Sequence, residues 1–484
     1  MNFTAWQFLL VFLPLSILAF ALLKHATGRQ LFLIAISLFF YAYSGASNAA
    51  VLLVSIIVNY TVGHILCSLS TPNRQWRLFT LWLGVLGNLG CLIAFKVLAL
   101  SSGEGEGFRT EQDILIPLAL SFITFQQIGF IYSCYTKKIQ QVKLLNYLFF
   151  IAFFPQLIMG PIVRYEDINR QLQSGSLKRF SLENFSVGLS IFGFGLAKKV
   201  LLADSIFIHV DRVFTAAVTT QVSTTDMWFA IIAFQLQIFL DFSAYADMAI
   251  GLARIFGINL PVNFDRPYKA RDRFDLWRRW HISFVVFMRT HVFLPLVRKA
   301  KLPVALALIV TGLLSGVWHG MGWTFILWGA LQTLLMLAAH YRKKIFNQSD
   351  EGGRVSIFFS IATTFLVSCL TGAVFRTPTI DGVLAVYGQL LAWNPLPSLL
   401  SFRSYVALVV CTFVAWVWPD THQLFHRYWQ ATDLRSINSR PRGFAEPSWI
   451  EFRLSIPWAI IGGITLVICF LLLGQSGRFI YVQF

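Results

Sequence analysis

From Leu302 to Ala339 the chain runs without a single Asp, Glu, Lys or Arg, and His319 stands near the middle of that run, in Ser315-Gly316-Val317-Trp318-His319-Gly320. A helix that crosses a bilayer takes about 20 apolar residues, so this stretch predicts a hairpin of two helices in lipid with an imidazole at its turn. Ionisable side chains inside membrane segments are costly and mark function. Histidine is the side chain best suited to moving protons near neutral pH.

The rest of the chain agrees with a lipid setting. Of 484 residues, 56% are hydrophobic and 13% charged, with 47 Phe and 15 Trp; soluble proteins carry about 25% charged residues. The segment Trp6–Leu23 lacks the basic start and small-residue cleavage site of a signal peptide and reads as a retained helix. The net charge of +17 is explained by basic cytoplasmic loops, and no motif for nucleic acid accompanies it. Six cysteines are scattered without metal-ligand or CxxC spacing, and no HExxH, Walker or GxSxG motif is present.

Candidate segments are 6–23, 31–46, 49–67, 78–100, 114–135, 145–163, 185–203, 226–243, 244–258, 281–297, 302–318, 321–340, 355–375, 404–418 and 456–474. Several are short or carry Gly and Pro, so the expected fold is an all-α integral membrane bundle. It has about eleven to fourteen membrane segments, some re-entrant, around a polar tunnel. The chain reads as one membrane domain, 1–484, with a polar loop at 419–453. Basic residues in alternate loops (Lys24 and Arg29; Arg74 and Arg77; Lys137, Lys138 and Lys143), against an acidic stretch at 101–113, place the odd loops in the cytoplasm and the N-terminus outside. His319 then lies towards the exoplasmic side, between the basic clusters Arg266–Lys301 and Arg342–Lys344.

Further motifs occur in a fixed order: Ile116-Pro117-Leu118-Ala119-Leu120-Ser121-Phe122, Phe154-Pro155-Gln156-Leu157-Ile158-Met159-Gly160-Pro161-Ile162-Val163-Arg164, Asp241-Phe242-Ser243-Ala244-Tyr245-Ala246-Asp247, Asn263-Phe264-Asp265-Arg266-Pro267-Tyr268, Phe274 to Ser283 with Leu276-Trp277-Arg278-Arg279-Trp280-His281-Ile282-Ser283, and Gly316 to Gly320. Together they resemble the membrane-bound O-acyltransferase (MBOAT) family. Within it, they resemble the branch that O-acetylates bacterial exopolysaccharides such as alginate and cellulose, best over 114–330. One departure is Met288-Arg289-Thr290, where that branch has an Arg-Asp-aromatic step followed by a Gly pair; it leaves the polymer open.

The resemblance makes His319 the catalytic histidine. Burial disfavours a charged imidazole, and a neutral ring can take the proton of an attacking hydroxyl or accept the acyl group itself. His281, the second family position, would orient the donor or polarise its carbonyl; the alternative is an interfacial histidine beside Trp277 and Trp280. Arg278 and Arg279 could grip donor phosphates or simply be cytoplasmic charge. Trp280 and Trp318 flank the two histidines as candidate substrate contacts. Asp241, Ser243, Tyr245 and Asp247 are structural or tunnel-lining, with Lys96, Arg164, Lys198 and Lys199 as candidate partners for the acids. The other histidines, His291 and His422 among them, read as interfacial or loop residues, and no metal site is expected.

The implied activity is acetyl transfer from a cytosolic donor, acetyl-CoA, across the bacterial inner membrane, with no bound cofactor. Periplasmic acetyltransferase proteins and a polysaccharide synthase are the expected partners. A transporter or flippase, a non-catalytic scaffold of an export complex, and D-alanyl or longer-chain acyl transfer remain alternatives.

Overall fold

The computed structural model describes residues 2–68, 74–101, 117, 119–346, 353–429 and 449–473, and every regular element among them is helical. The first group comprises α1 (Leu13–Leu22), α2 (Ala26–Ala42), α3 (Ala46–Ser68), α4 (Arg74–Ser101), α5 (Leu120–Tyr135), α6 (Leu144–Ala152), α7 (Phe154–Leu157) and α8 (Tyr165–Ser174). The middle group comprises α9 (Leu182–Ala197), α10 (Asp204–Thr219), α11 (Thr224–Ile255), α12 (Arg273–Arg279), α13 (Ile282–Met288) and α14 (Leu294–Arg298). The last comprises α15 (Val304–His319), α16 (Trp323–Phe346), α17 (Arg354–Arg376), α18 (Ile380–Leu391), α19 (Phe402–Trp416), α20 (Thr421–Leu424) and α21 (Ile456–Leu472). The acidic stretch expected at 101–113 and the middle of the polar loop at 419–453 lie outside the described residues.

Among the described residues, five helices are long and apolar enough to cross a membrane: Ala46–Ser68, Arg74–Leu98, Thr224–Ile255, Trp323–Arg342 and Arg354–Arg376. Six shorter apolar helices accompany them, and Arg273–Arg279 with Ile282–Arg298 forms a pair bent by 113°. This is the polytopic all-helical bundle expected, with a sharply bent helix pair at the second histidine.

Three segments differ from expectation. The candidate segments 226–243 and 244–258 fall on one helix, α11 (Thr224–Ile255), rather than two spans. No Gly or Pro breaks it in mid-course, and its interior acids are neutralised from a neighbour. At about 1.5 Å per residue it is nearly 50 Å long, and 89% of its most apolar window is buried, so it is the axis of the bundle. Segment 145–163 breaks at Phe153, where Pro155 opens the short α7, since proline suits a first helical turn and not an interior one. Segment 185–203 changes to a wider π-helical turn over Lys198–Ala203.

That turn delivers two lysines to α11. Lys199 Nζ lies 2.8 Å from Asp204 and 2.7 Å from Asp241, and Lys198 Nζ lies 2.6 Å from Asp247 and 3.3 Å from the Ser243 hydroxyl. Small residues let the two backbones meet: a Cβ on Gly188 would lie 2.6 Å from the Gly251 carbonyl. Close approach of this kind replaces the missing hydrophobic drive between helices in lipid.

Candidate active site

His319 is the last residue of α15, and α15 packs against α16 through small residues, with a Cβ at Gly316 falling 2.4 Å from the Phe325 carbonyl oxygen. The tight hairpin carries the ring into the bundle rather than towards lipid; its residue is 7% exposed. Trp328 and Phe375 meet it edge-on at 5.2 and 5.1 Å between centroids, and Trp318 at 4.6 Å. Lys96 donates to the carbonyls of Val317 and Trp318, a cation at the negative end of α15. Lys96 is thereby placed here, not beside Asp241 or Asp247. Since α4 begins at Arg74, Lys96 lies about 33 Å along it, so His319 sits near the end of the bundle opposite Arg74.

His281 is fixed by a loop that returns from α11. Backbone hydrogen bonds Asp265 N–H to Arg279 C=O and Ile282 N–H to Asn263 C=O, both 2.9 Å, lace that loop to the bend between α12 and α13. Asn263 Oδ1 accepts the Ser283 N–H (3.1 Å) and the Ser283 hydroxyl (2.9 Å), and lies 3.3 Å from His281 Nδ1. An amide oxygen carries no hydrogen and can only accept. His281 therefore donates from Nδ1, and its lone pair is on Nε2. Phe284 stacks on the ring at 5.1 Å and Phe242 meets its edge at 4.8 Å.

The two histidines share one cavity of about 60 Å³, walled also by Trp277, Trp280, Trp328 and Phe375 and by the polar side chains of Arg273 and Gln332. A second cavity, of about 350 Å³, lies on the other side of the bend, against Ile282 and Ser283, and carries Lys138, Arg164, Arg170 and His291 in its wall. The polypeptide of His281–Ser283 thus separates a large basic vestibule from a small aromatic chamber. His291 faces the vestibule and stacks on Phe287 at 4.4 Å.

The remaining residues singled out in the sequence fall in different places. Trp280 lines the small chamber, while Trp318 packs behind it against Phe284 at 4.5 Å. Arg278 is exposed. Arg279 is held by Asp275 (3.0 Å) and Asp265 (3.5 Å), inside the fold. Asp241, Ser243, Tyr245 and Asp247 line neither of the two cavities beside His281; the first, second and fourth bind lysines, and Tyr245 stacks on Phe3 at 4.8 Å.

Sequence reasoning missed the contribution of residues 420–422. His422 is buried rather than interfacial, its Nε2 3.4 Å from Asp265, and Thr421 donates to Asp247 at 2.5 Å. Asp420 accepts the Arg266 N–H. Asp265, Asp420 and His422 bring ligand atoms within 4.8 Å of one another, but Arg266 and Arg279 already supply Asp265 with positive charge. The cluster therefore reads as a clasp on the Asn263 loop. The sequence signal that points to this segment is the Asp420-x-x-Gln423 capping pattern, which the structure forms.

A helical membrane fold with two histidines in a buried chamber defines a class of transferase, and the family model of the membrane-bound O-acyltransferases matches residues 80–369. The chain belongs to the membrane-bound O-acyltransferase family. It is 34% identical over 364 residues to the peptidoglycan O-acetyltransferase of Helicobacter pylori, covering 68% of each chain. It is 31% identical over 416 residues to the alginate O-acetylase AlgI of Pseudomonas aeruginosa, covering 84% of this chain and 76% of that one. A teichoic acid D-alanyltransferase of Bacillus subtilis is 26% identical over 271 residues, covering 53% and 68%.

Proposed function

We propose that this O-acyltransferase passes an acetyl group from a cytosolic thioester donor, acetyl-CoA, to a hydroxyl on the far side of the bacterial inner membrane, for O-acetylation of a cell-surface polysaccharide. The observation that carries this reading is the pair of histidines in one buried chamber, with a larger cavity on the other side of the His281–Ser283 bend. The donor thioester enters the vestibule, where Lys138 and Arg164 suit its phosphates; Arg170, 3.7 Å from Asp167, and Arg279, tied to two carboxylates, suit them less. The acyl carbon reaches the chamber past Ser283. The acceptor hydroxyl gives its proton to the neutral His319 ring as its oxygen attacks that carbon, and His281, oriented by Asn263, positions the substrate by accepting a hydrogen bond at Nε2. Collapse expels the thiolate, which takes the proton back.

Relatives named for peptidoglycan and alginate acetylation support an acetyl group and an envelope polysaccharide acceptor, cellulose being another candidate. Periplasmic acetyltransferase proteins would relay the group to the polymer beside its synthase. The test is acetyl transfer in inside-out membrane vesicles supplied with labelled acetyl-CoA. Label should enter the lumenal fraction with the wild-type chain and not with His319→Ala. Label entering equally with both, or D-alanyl but not acetyl transfer, would overturn the reading.

A further inference from the structure

Arg273 is a buried cation with no acid beside it. Its residue is 6% exposed, and its guanidinium donates to Gln332 Oε1 (2.6 Å), to the Ser368 hydroxyl (2.6 Å) and to Thr371 Oγ1 (3.4 Å). All three are neutral. Ser368 and Thr371 have already given their own protons to the carbonyls of Thr364 and Val367. Among the described residues no carboxylate forms an ion pair with Arg273, and its Nε has no hydrogen-bond partner. Elsewhere in the bundle, buried Lys199 and Arg376 and half-buried Lys198 and Arg279 each meet an aspartate, while buried Arg29 donates to the backbone carbonyls of Phe20 and Leu177. Isolated charge in such surroundings is costly, and the usual remedy is an opposite charge.

The position of this cation is informative. Arg273 and His319 line the same chamber. On α16, Trp328 touches His319 and Gln332 holds Arg273; on α17, Phe375 touches His319 and Thr371 holds Arg273. Each pair is four residues apart, so both helices set the guanidinium about one turn, near 5.4 Å, from the level of the imidazole. Trp277, also four residues from Arg273 on α12, lines the chamber too, and its Nε1 is a buried donor without a partner. Two unsatisfied donors, one of them charged, therefore bound a small cavity beside the reacting ring.

We propose that Arg273 and Trp277 make this chamber a site for an anionic oxygen of the substrate: a carboxylate carried by the acyl acceptor, or the oxyanion of the tetrahedral intermediate. This rests on the reading of His319 as the reacting base. In the intermediate, the acceptor oxygen has bonded to the acyl carbon, its proton is on the imidazole, and the carbonyl electron pair has become the charge that Arg273 faces. A cation pre-set in a dry cavity is most effective at that moment.

The test uses the full-length protein in lipid nanodiscs, with acetate as the probe and acetamide as its neutral counterpart. Protection of His319 from diethylpyrocarbonate is read by mass spectrometry of its peptide. Acetate should protect at concentrations at least about tenfold lower than acetamide, and Arg273→Gln should erase the difference while Arg273→Lys keeps part of it. Equal protection by the two probes in wild type, or an acetate preference that survives Arg273→Gln, overturns the proposal, and so does wild-type transfer by the Arg273→Gln chain. A loss of about a hundredfold in kcat at unchanged KM for the acceptor assigns the charge to the oxyanion, and a rise in KM at unchanged kcat assigns it to an acceptor carboxylate. Transfer persisting in His319→Ala would sink the proposed function while leaving the acetate preference of wild type in place.

Discussion

His281 occupies a left-handed backbone conformation, φ 44° and ψ 51°, which costs a non-glycine residue about 1–3 kcal/mol and persists where the surroundings dictate it. The dictating group is Asn263, whose one oxygen takes three contacts. Asn263→Ala should leave the buried Ser283 donors unsatisfied, at about 1–3 kcal/mol, and free the imidazole to rotate. Acetyl transfer should then fall at least about tenfold with His281 still present, as measured against membrane abundance; full activity would show that the ring needs no orienting. The motif containing His281 drew attention to it in the sequence, but nothing there distinguished its two arginines. Arg278 is exposed and Arg279 is bound to two aspartates. Arg279→Ala should lower stability by about 1–3 kcal/mol, by removing one of the groups that face buried Asp265 and leaving it to Arg266 and His422, while Arg278→Ala should leave the melting temperature unchanged. Equal melting of the two variants would contradict that separation.

Among the elements, the seam between α9 and α11 matters most. The sequence made its chemistry legible: acids in an apolar stretch require bases, and Lys198 and Lys199 were among the candidates. It did not make the pairing legible, because the π-helical turn at Lys198–Ala203 rotates the lysines in a way no residue pattern announces. The split of α11 into two spans failed for a related reason. Asp241 and Asp247 look like interruptions until their partners are known. Lys199 stands between Asp204 and Asp241 at 1% exposure, so Lys199→Met should leave two buried carboxylates uncompensated and destabilise the protein by about 3–5 kcal/mol. Thermal unfolding in detergent reads this, and a melting temperature equal to wild type would contradict the pairing.

In the whole molecule, the bend at His281–Ser283 divides two cavities, and that division was only partly legible. The basic middle stretch and the charge-free run around His319 singled out the two histidines, which line one chamber. The vestibule is assembled from Lys138, Arg164, Arg170 and residues near 260 and 290, which are far apart in the chain and share no motif. The clasp is more distant still: Asp420, Thr421 and His422 lie outside the matched family region yet reach the loop that orients His281. His422→Ala should therefore weaken transfer without removing the protein from the membrane, and replacement by Gln should restore part of it, because a neutral donor can still serve Asp265.

The account depends on His319 as the group that takes the acceptor's proton. The most direct measurement is the O-acetyl ester content of surface polysaccharide, by mass spectrometry, in cells lacking this chain and resupplied with wild type, His319→Ala or His319→Gln at equal membrane abundance. Both variants should give the ester content of cells with no chain at all. Ester content near wild type in either one would contradict the account.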